Sequence, residues 1–429
     1  MLSGILIILC FMVLLIFGAP IAFALGVSSV IGFLVLSGVD ALTQIPIIAY
    51  QMLDSSTFLA LPLFVMMGTV LLHGRVGADF FELAATFVGH RRAGLSIATI
   101  FACAIFSAIS ASSLATAATI GSLSVPNMLK QGYPPRLVYG PVAAGGTLGI
   151  LIPPSGVMIL YGAMTDVSVG DLFVAGMLPG ILLTLFLCSI AIFVAGGKDM
   201  KAPRRASWND SWMSFRKSFW GLMLPVCVLG GLYTGFFTPN EAGAIGVVLS
   251  FVVTVLINRT LPVSRLPKVL LDGTKTAGFL FGVIIAAGLF NHLMTELKFI
   301  QGFTQFIVSI GVGPNSVLIM ISLLLFVLGM FFEVAALVLI MVPILFPVIT
   351  ALGINPVWFG IFFVVNVEFA YLTPPVGMNL YIIQEIARKY LPKTSFGDVI
   401  VSTAPYLLAH LFMLAILMTF PQIVTVFLK

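Results

Sequence analysis

The chain has 429 residues, 60% of them hydrophobic and 8% charged, with a mean hydropathy of +1.18. A soluble domain carries roughly 25% charged residues, so a water-soluble fold is excluded and an all-α integral membrane protein is expected. The net charge of +5 is assigned to cytoplasmic loops, not to a nucleic-acid surface, and no nucleic-acid partner is expected.

In chain order, Met1-Leu2-Ser3-Gly4 lacks the basic flank of a signal peptide, and no small-residue cleavage pattern follows. The first apolar run is therefore expected to remain as a helix. Apolar helices are expected at about 2–18, 21–37 and 57–72, with a weakly polar segment over 40–56. An amphipathic stretch, 74–92, reads as an arm along the membrane surface. Residues 94–130 form an apolar stretch interrupted at 107–113, followed by a broken helix at 136–165 and a last helix at 171–197. A basic linker, 198–217, leads into helices at 218–236, 240–257 and 276–296, with a second surface arm at 260–275. The plan then repeats as an interrupted stretch, 314–350, a broken helix, 357–386, and a last helix, 398–425.

The two broken helices share a motif. Leu151-Ile152-Pro153-Pro154-Ser155-Gly156 recurs 221 residues later as Leu372-Thr373-Pro374-Pro375-Val376-Gly377. At the same offset Ala115, Pro126, Gly132 and Pro135 match Ala336, Pro347, Gly353 and Pro356, so the chain reads as two homologous halves, 1–197 and 218–429. A Pro-Pro pair removes two backbone donors and disfavours helix before it. Lipid tolerates such freed backbone only where it is buried in protein or lines a cavity. Matched interrupted helices point to the binding site of a secondary transporter.

Charge then sets the topology. If each interrupted stretch is a re-entrant hairpin, each half has five crossings, and the halves must be inverted. With both termini outside, 18 of the 20 Lys and Arg residues fall on the cytoplasmic side, leaving only Lys298 and Lys429 outside. The expected fold is two inverted-topology repeats of about ten crossing helices, two hairpins and two broken helices.

Hydroxyls and unwound carbonyls are hard oxygen donors suited to Na⁺. A first Na⁺ site is expected from the tip residues Ser107, Ser110, Ser112 and Ser113 with Gly145, Gly146, Thr147, Gly149 and Pro153 at the break. Thr116 belongs to the same tip. A second is expected from Gly329, Phe332 and Glu333 at the other tip with Glu368, Thr373, Gly377 and Met378. Carboxylates in an apolar region are costly unless paired or functional, so Glu333 and Glu368 either bind cations or cap freed backbone N–H groups.

Substrate contacts are expected from Ser112, Ser155, Gly156, Thr373 and Asn379. No Lys or Arg lies in either tip or break, so a carboxylate substrate would be balanced by bound Na⁺ and by helix N-termini after the Pro-Pro pairs. That pattern alone does not exclude a neutral or basic substrate.

Other residues read as structural. Cys10, Cys103, Cys188 and Cys227 lie singly in apolar runs, His292 and His410 read as packing groups, and Glu241 as a helix cap. His73 and His90 sit at a cytoplasmic boundary. No phosphate-binding Gly-rich loop, His-Glu-x-x-His or Gly-x-Ser-x-Gly pattern is present. The chain is therefore expected not to be an enzyme, and to draw its energy from an ion gradient.

The stretch Ser110-Ala111-Ser112-Ser113-Leu114-Ala115-Thr116-Ala117-Ala118-Thr119 with Pro126, the segment Gly149 to Gly156, and the segment Leu372 to Asn379 closely resemble the large membrane subunit of tripartite ATP-independent periplasmic (TRAP) transporters. Gly329 and Phe332-Glu333 fit the second tip, and Ala111 stands where Gly is expected. The resemblance covers essentially the whole chain. It implies a bacterial inner-membrane protein with periplasmic termini, a separate small four-helix membrane subunit, and a periplasmic substrate-binding protein. It also implies Na⁺-coupled import of an organic acid of the C4-dicarboxylate or sialic acid type by an elevator mechanism. A stand-alone Na⁺/carboxylate symporter of related fold is the alternative.

Overall fold

A computed structural model describes residues 2–196 and 206–428, and all regular structure within them is helical. Lys198, Lys201, Arg204, Arg205 and Lys429, which entered the charge count above, lie outside the described residues, as does most of the first half of the linker.

The first half begins with α1 (Leu2–Ile16) and α2 (Ile21–Ser37), which turn at Gly18 (φ 81°). A 3₁₀ turn (Val39–Thr43) leads to α3 (Gln44–Leu53), α4 (Ser56–His73) and the amphipathic α5 (Val76–Val88). Helices α6 (Gly94–Ser110) and α7 (Ser113–Lys130) meet at a two-residue tip, Ala111-Ser112. Helix α8 (Pro135–Thr147) ends in a 3₁₀ turn (Leu148–Ile150), and α9 (Gly156–Thr165) and α10 (Val169–Ala195) complete the half.

The second half comprises α11 (Trp208–Tyr233), α12 (Pro239–Phe251) extended by a π turn (Val252–Ile257), α13 (Leu266–Glu296) and α14 (Phe299–Ser309). Then come α15 (Pro314–Gly329), α16 (Val334–Ala351), α17 (Pro356–Tyr371), α18 (Met378–Arg388), α19 (Phe396–Thr419) and α20 (Gln422–Thr425).

Among the described residues six helices, α4, α10, α12 with its π turn, α13, α16 and α19, are long and apolar enough to cross a membrane. Crossing takes about 20 residues, so α9, with 10 residues, and α18, with 11, are too short alone. Each continues a preceding helix across a Pro-Pro break.

Helix starts follow local chemistry. Thr238 and Glu241 form a capping box at α12, and Ser395 and Asp398 form one at α19. Thr238 Oγ1 and the Thr238 backbone N–H both donate to Glu241 Oε2, at 2.9 and 2.8 Å.

Four segments differ from the sequence reading. Residues 208–217 of the expected linker are the first turns of α11, which starts at a capping box of Ser207 and Asp210. The 40–56 segment is largely helical as α3. Residues 266–275 of the expected surface arm are the first turns of α13, a continuous 31-residue helix with Pro267 in its first turn and no Pro after it. Residues 299–309 form α14, whose apolar face gives one short amphipathic helix that a search for crossing segments passes over.

The helices pack in two groups. In one, α4 lies against α12 and α13, α13 against α2 and α3, and α11 against α5 and α12. In the other, α8 lies against α6, α7 and α19, α7 against α18, α9 against α16, and α17 against α15, α10 and α19. They meet where α5 lies against α6 and α7, where α4 crosses α6 and α9, and where α13 and α14 meet α16. Both tips stand at that boundary.

Candidate substrate and ion site

The first tip is an oxygen cluster. Ser110 Oγ lies 2.7 Å from Thr116 Oγ1, and Thr116 Oγ1 donates to the Ser112 carbonyl at 2.9 Å. Ser112 caps α7, its hydroxyl accepting from the Ala115 N–H at 3.3 Å. Ala111 makes the turn with φ 53°, a left-handed conformation that costs a non-glycine residue roughly 1–2 kcal/mol.

The first break seats against this tip. A Cβ at Gly149 would lie 2.5 Å from the Ser112 carbonyl oxygen and 2.8 Å from Thr116 Oγ1, so only glycine permits the approach. The Gly156 N–H donates to the Ala111 carbonyl at 3.4 Å. The Pro153–Pro154 bond is cis, as is Pro374–Pro375. Ser155 caps α9, accepting from the Met158 N–H at 3.3 Å and donating to the Ile150 carbonyl at 2.6 Å.

Other expected first-site residues point elsewhere. Thr147 Oγ1 donates to the Ala144 carbonyl at 2.8 Å and lies 3.1 Å from His410 Nε2. Ser107 Oγ donates to the Cys103 carbonyl at 2.7 Å, one turn back in its own helix. Gly145 faces Cys103, where a Cβ would come within 3.1 Å of the side chain, and Gly146 faces Ala117 and Asn379.

At the second tip Glu333 caps α16. Its Oε2 accepts from the Ala335 N–H at 2.9 Å and from the Ala336 N–H at 3.3 Å, and the Tyr371 hydroxyl accepts from the Val334 N–H at 3.0 Å. Phe332 stacks on Phe11 of α1 at 5.9 Å, fastening this tip to the other helix group. Gly329 abuts Ala370, where a Cβ would sit 2.6 Å away. Glu368 does no capping: it is fully buried in α17, and neither carboxyl oxygen has a hydrogen-bond partner. Thr373 Oγ1 donates to the Phe369 carbonyl at 2.9 Å, and Gly377 turns the chain into α18 with φ 53°. Asn379 is fully buried, bonded to Ser113 and Ala143.

A cavity of about 650 Å³ joins the two tips. Of the expected residues, Ser110, Ser112, Ser113, Gly156, Glu333 and Met378 line it, while Ser155, Glu368, Thr373 and Asn379 do not. Its far wall is α4 and α13, which contribute Thr69, His73, Asp272 and Thr276. His73 Nε2 lies 3.5 Å from Asp272 Oδ2, and Thr276 Oγ1 donates to the Asp272 carbonyl at 3.0 Å. These four were missed as site residues. Their signal was a pair of polar residues at i and i+4 on each of two apolar helices, which places both on one face. Among the described residues no Lys or Arg lines the cavity.

The fold is shared with solved membrane transporters. The transporter MtrF of Neisseria gonorrhoeae, described as illuminating a class of antimetabolite efflux pumps, superposes with a TM-score of 0.66 at 13% identity, over 96% of this chain and 94% of that one. Sequence relatives are nearer. The C4-dicarboxylate TRAP transporter large permease protein DctM of Pseudomonas aeruginosa is 38% identical over 93% of this chain and 92% of its own length. The protein of the same description from Rhodobacter capsulatus is also 38% identical, over 96% and 97%. The family model for the tripartite ATP-independent periplasmic transporter, DctM component, matches residues 8–423, and the chain belongs to that family of large permease subunits.

Proposed function

We propose that this subunit carries an organic acid of the C4-dicarboxylate class across the inner membrane together with Na⁺. The acid is delivered by a periplasmic binding protein, and a small membrane subunit packs beside the chain. The observation that carries the reading is the cavity, where both tips meet α4 and α13 and no Lys or Arg among the described residues faces an anion. A carboxylate there takes its positive charge from bound Na⁺ and from the N-termini of α7 and α9, whose first residues Ser113 and Gly156 line the same cavity.

Ser110 Oγ, Thr116 Oγ1 and the Ser112 carbonyl, with the backbone around Gly149, form the first Na⁺ site. The backbone around Gly377 and the Glu333 carboxylate serve the second. Each Na⁺ moved down 100 mV supplies about 2.3 kcal/mol, enough to drive accumulation.

The two halves are inverted repeats. Helices α6–α10 and α15–α19 move as an elevator against α1–α4 and α11–α13. In this reading the end of the cavity at His73 and Asp272, 3.5 Å apart, is the cytoplasmic one. Uptake of radiolabelled succinate into proteoliposomes of the two membrane subunits, with and without binding protein and an inward Na⁺ gradient, tests the proposal. Accumulation is expected only when both are supplied, and Ser110→Ala is expected to raise the Na⁺ requirement. Uptake indifferent to Na⁺ refutes the coupling, and full uptake without the binding protein favours a stand-alone symporter.

A further inference from the structure

We infer that Asn379 is a positioning residue that couples the two ion sites, by fastening the second break to the first tip. The inference rests on the Na⁺ reading above. Asn379 is the second residue of α18 and lies two positions after Gly377. Its side chain does not enter the cavity. Nδ2 donates to the Ala143 carbonyl on α8 at 3.0 Å and lies 3.0 Å from Ser113 Oγ, while Oδ1 lies 3.2 Å from the same hydroxyl. Ser113 follows Ser112 directly, so one buried amide joins the first tip to the turn that ends the second break.

The room for this amide is made by Gly146. A Cβ there would lie 3.1 Å from Asn379 Nδ2 and 2.7 Å from the Ala117 Cβ. The link has no counterpart in the other direction, because the residue 221 positions earlier is Met158, which offers no amide. Among the described residues seven other side-chain hydrogen bonds join the halves, Thr147 to His410 and His292 to Gln44 among them, and none of them starts at a tip. A fully buried amide holds its partners firmly, because each bond it gives up inside the protein leaves an unpaired group. Movement of Ser112 and Ser113 as the first ion binds is therefore passed to Gly377 and Met378 through Asn379.

The test is the Na⁺ dependence of succinate uptake by the complete transporter in proteoliposomes, for Asn379→Ala, Asn379→Leu, Ser113→Ala and the Asn379→Ala/Ser113→Ala double variant. Loss of the link is expected to bring the Hill coefficient towards one and to raise half-saturating Na⁺ about tenfold, within the range of ordinary site-to-site coupling. The maximal rate at saturating Na⁺ is retained in the Asn379 variants, whose side chain lies outside the cavity, and the Na⁺ response of the double variant is no worse than that of either single one. A purely structural role would lower the maximal rate and leave the Hill coefficient alone. Wild-type cooperativity in the Asn379 and Ser113 variants, or additive losses in the double variant, overturns the inference. If the Asn379 variants do not assemble, the Hill coefficient of Ser113→Ala decides it, since that variant breaks the same link from the side of the first tip. Wild-type uptake that is indifferent to Na⁺ is a separate outcome that removes the coupling reading itself.

Discussion

Gly149→Ala isolates the contact between the first tip and the first break. The added Cβ would sit 2.5 Å from the Ser112 carbonyl oxygen, 2.7 Å from its carbonyl carbon and 2.8 Å from Thr116 Oγ1. Ordinary contact begins at 3.4 Å, so tip and break must separate by about 0.9 Å. Two of the three obstacles are backbone atoms, which do not swing aside as a flexible side chain does. Overpacking of this kind costs about 1–3 kcal/mol. If that energy falls on the ion-binding geometry, half-saturating Na⁺ rises by roughly 5- to 150-fold. Gly230→Ala is the control, since nothing lies within 4 Å of its new methyl and alanine favours helix. Both variants are assayed for succinate uptake across a Na⁺ titration, with membrane levels matched by immunoblot. Wild-type Na⁺ dependence in Gly149→Ala would refute the placement of the ion between Ser112 and the break.

Other perturbations test separate parts of the argument. Ala111→Gly releases a left-handed residue and is expected to raise the stability of the purified complex by up to about 1 kcal/mol; a lower melting temperature would count against the tip geometry. Thr147→Val leaves a nitrogen of the buried His410 without its partner and is expected to cost about 1–2 kcal/mol, while the Na⁺ dependence of uptake stays unchanged; a shifted Na⁺ requirement would return Thr147 to the ion site.

Lys217→Met strips Asp79 of the ammonium 3.0 Å away, and also frees Glu82 at 2.8 Å, loosening α5 from α11 by about 1 kcal/mol given the exposure of the lysine. Burial raises the Asp79 carboxyl above the usual carboxylate range, and Lys217 opposes that rise. Asp79 therefore binds its proton more tightly folded than unfolded, which favours the fold at acid pH. Losing Lys217 raises the carboxyl further, so the deficit is greatest near neutral pH and fades as pH falls through the raised value. A deficit that grows on acidification, followed by thermal unfolding at several pH values, contradicts the ion-pair account.

The class of fold and the places where helices break were legible because both are written in local chemistry. Apolar runs of crossing length and two Pro-Pro pairs need no tertiary information. The cap at Glu333 was one of two roles open from sequence, and Glu333 Oε2 makes it by accepting from the backbone N–H groups of Ala335 and Ala336. What the residues could not disclose was direction. Thr147 beside the break and Ser110 at the tip are both hydroxyl residues, yet one lies against the Ala144 carbonyl and His410 and the other against Thr116, and sequence does not say which partner packing brings within reach. Asp272 looked like part of a surface arm, since amphipathicity is the same whether the polar face meets headgroups or a cavity inside the protein.

The 221-residue offset also shows where the two halves have parted chemically. Ser112 corresponds to Glu333, and both cap the helix after a tip, one with a hydroxyl and one with a carboxylate. Thr147 corresponds to Glu368; the hydroxyl is bonded, whereas the carboxyl is buried with no partner. Met158 corresponds to Asn379, and only the second reaches across to the other half. In each pair the second half carries the stronger polar group at an equivalent position of the backbone. In the proposed reading, two ion sites on the same scaffold but with different charge differ in affinity, since a carboxylate attracts a cation that a hydroxyl only solvates. Under the proposed Na⁺ reading, equal sites would fill together and unequal ones in order, with the Asn379 amide as the inferred link between them.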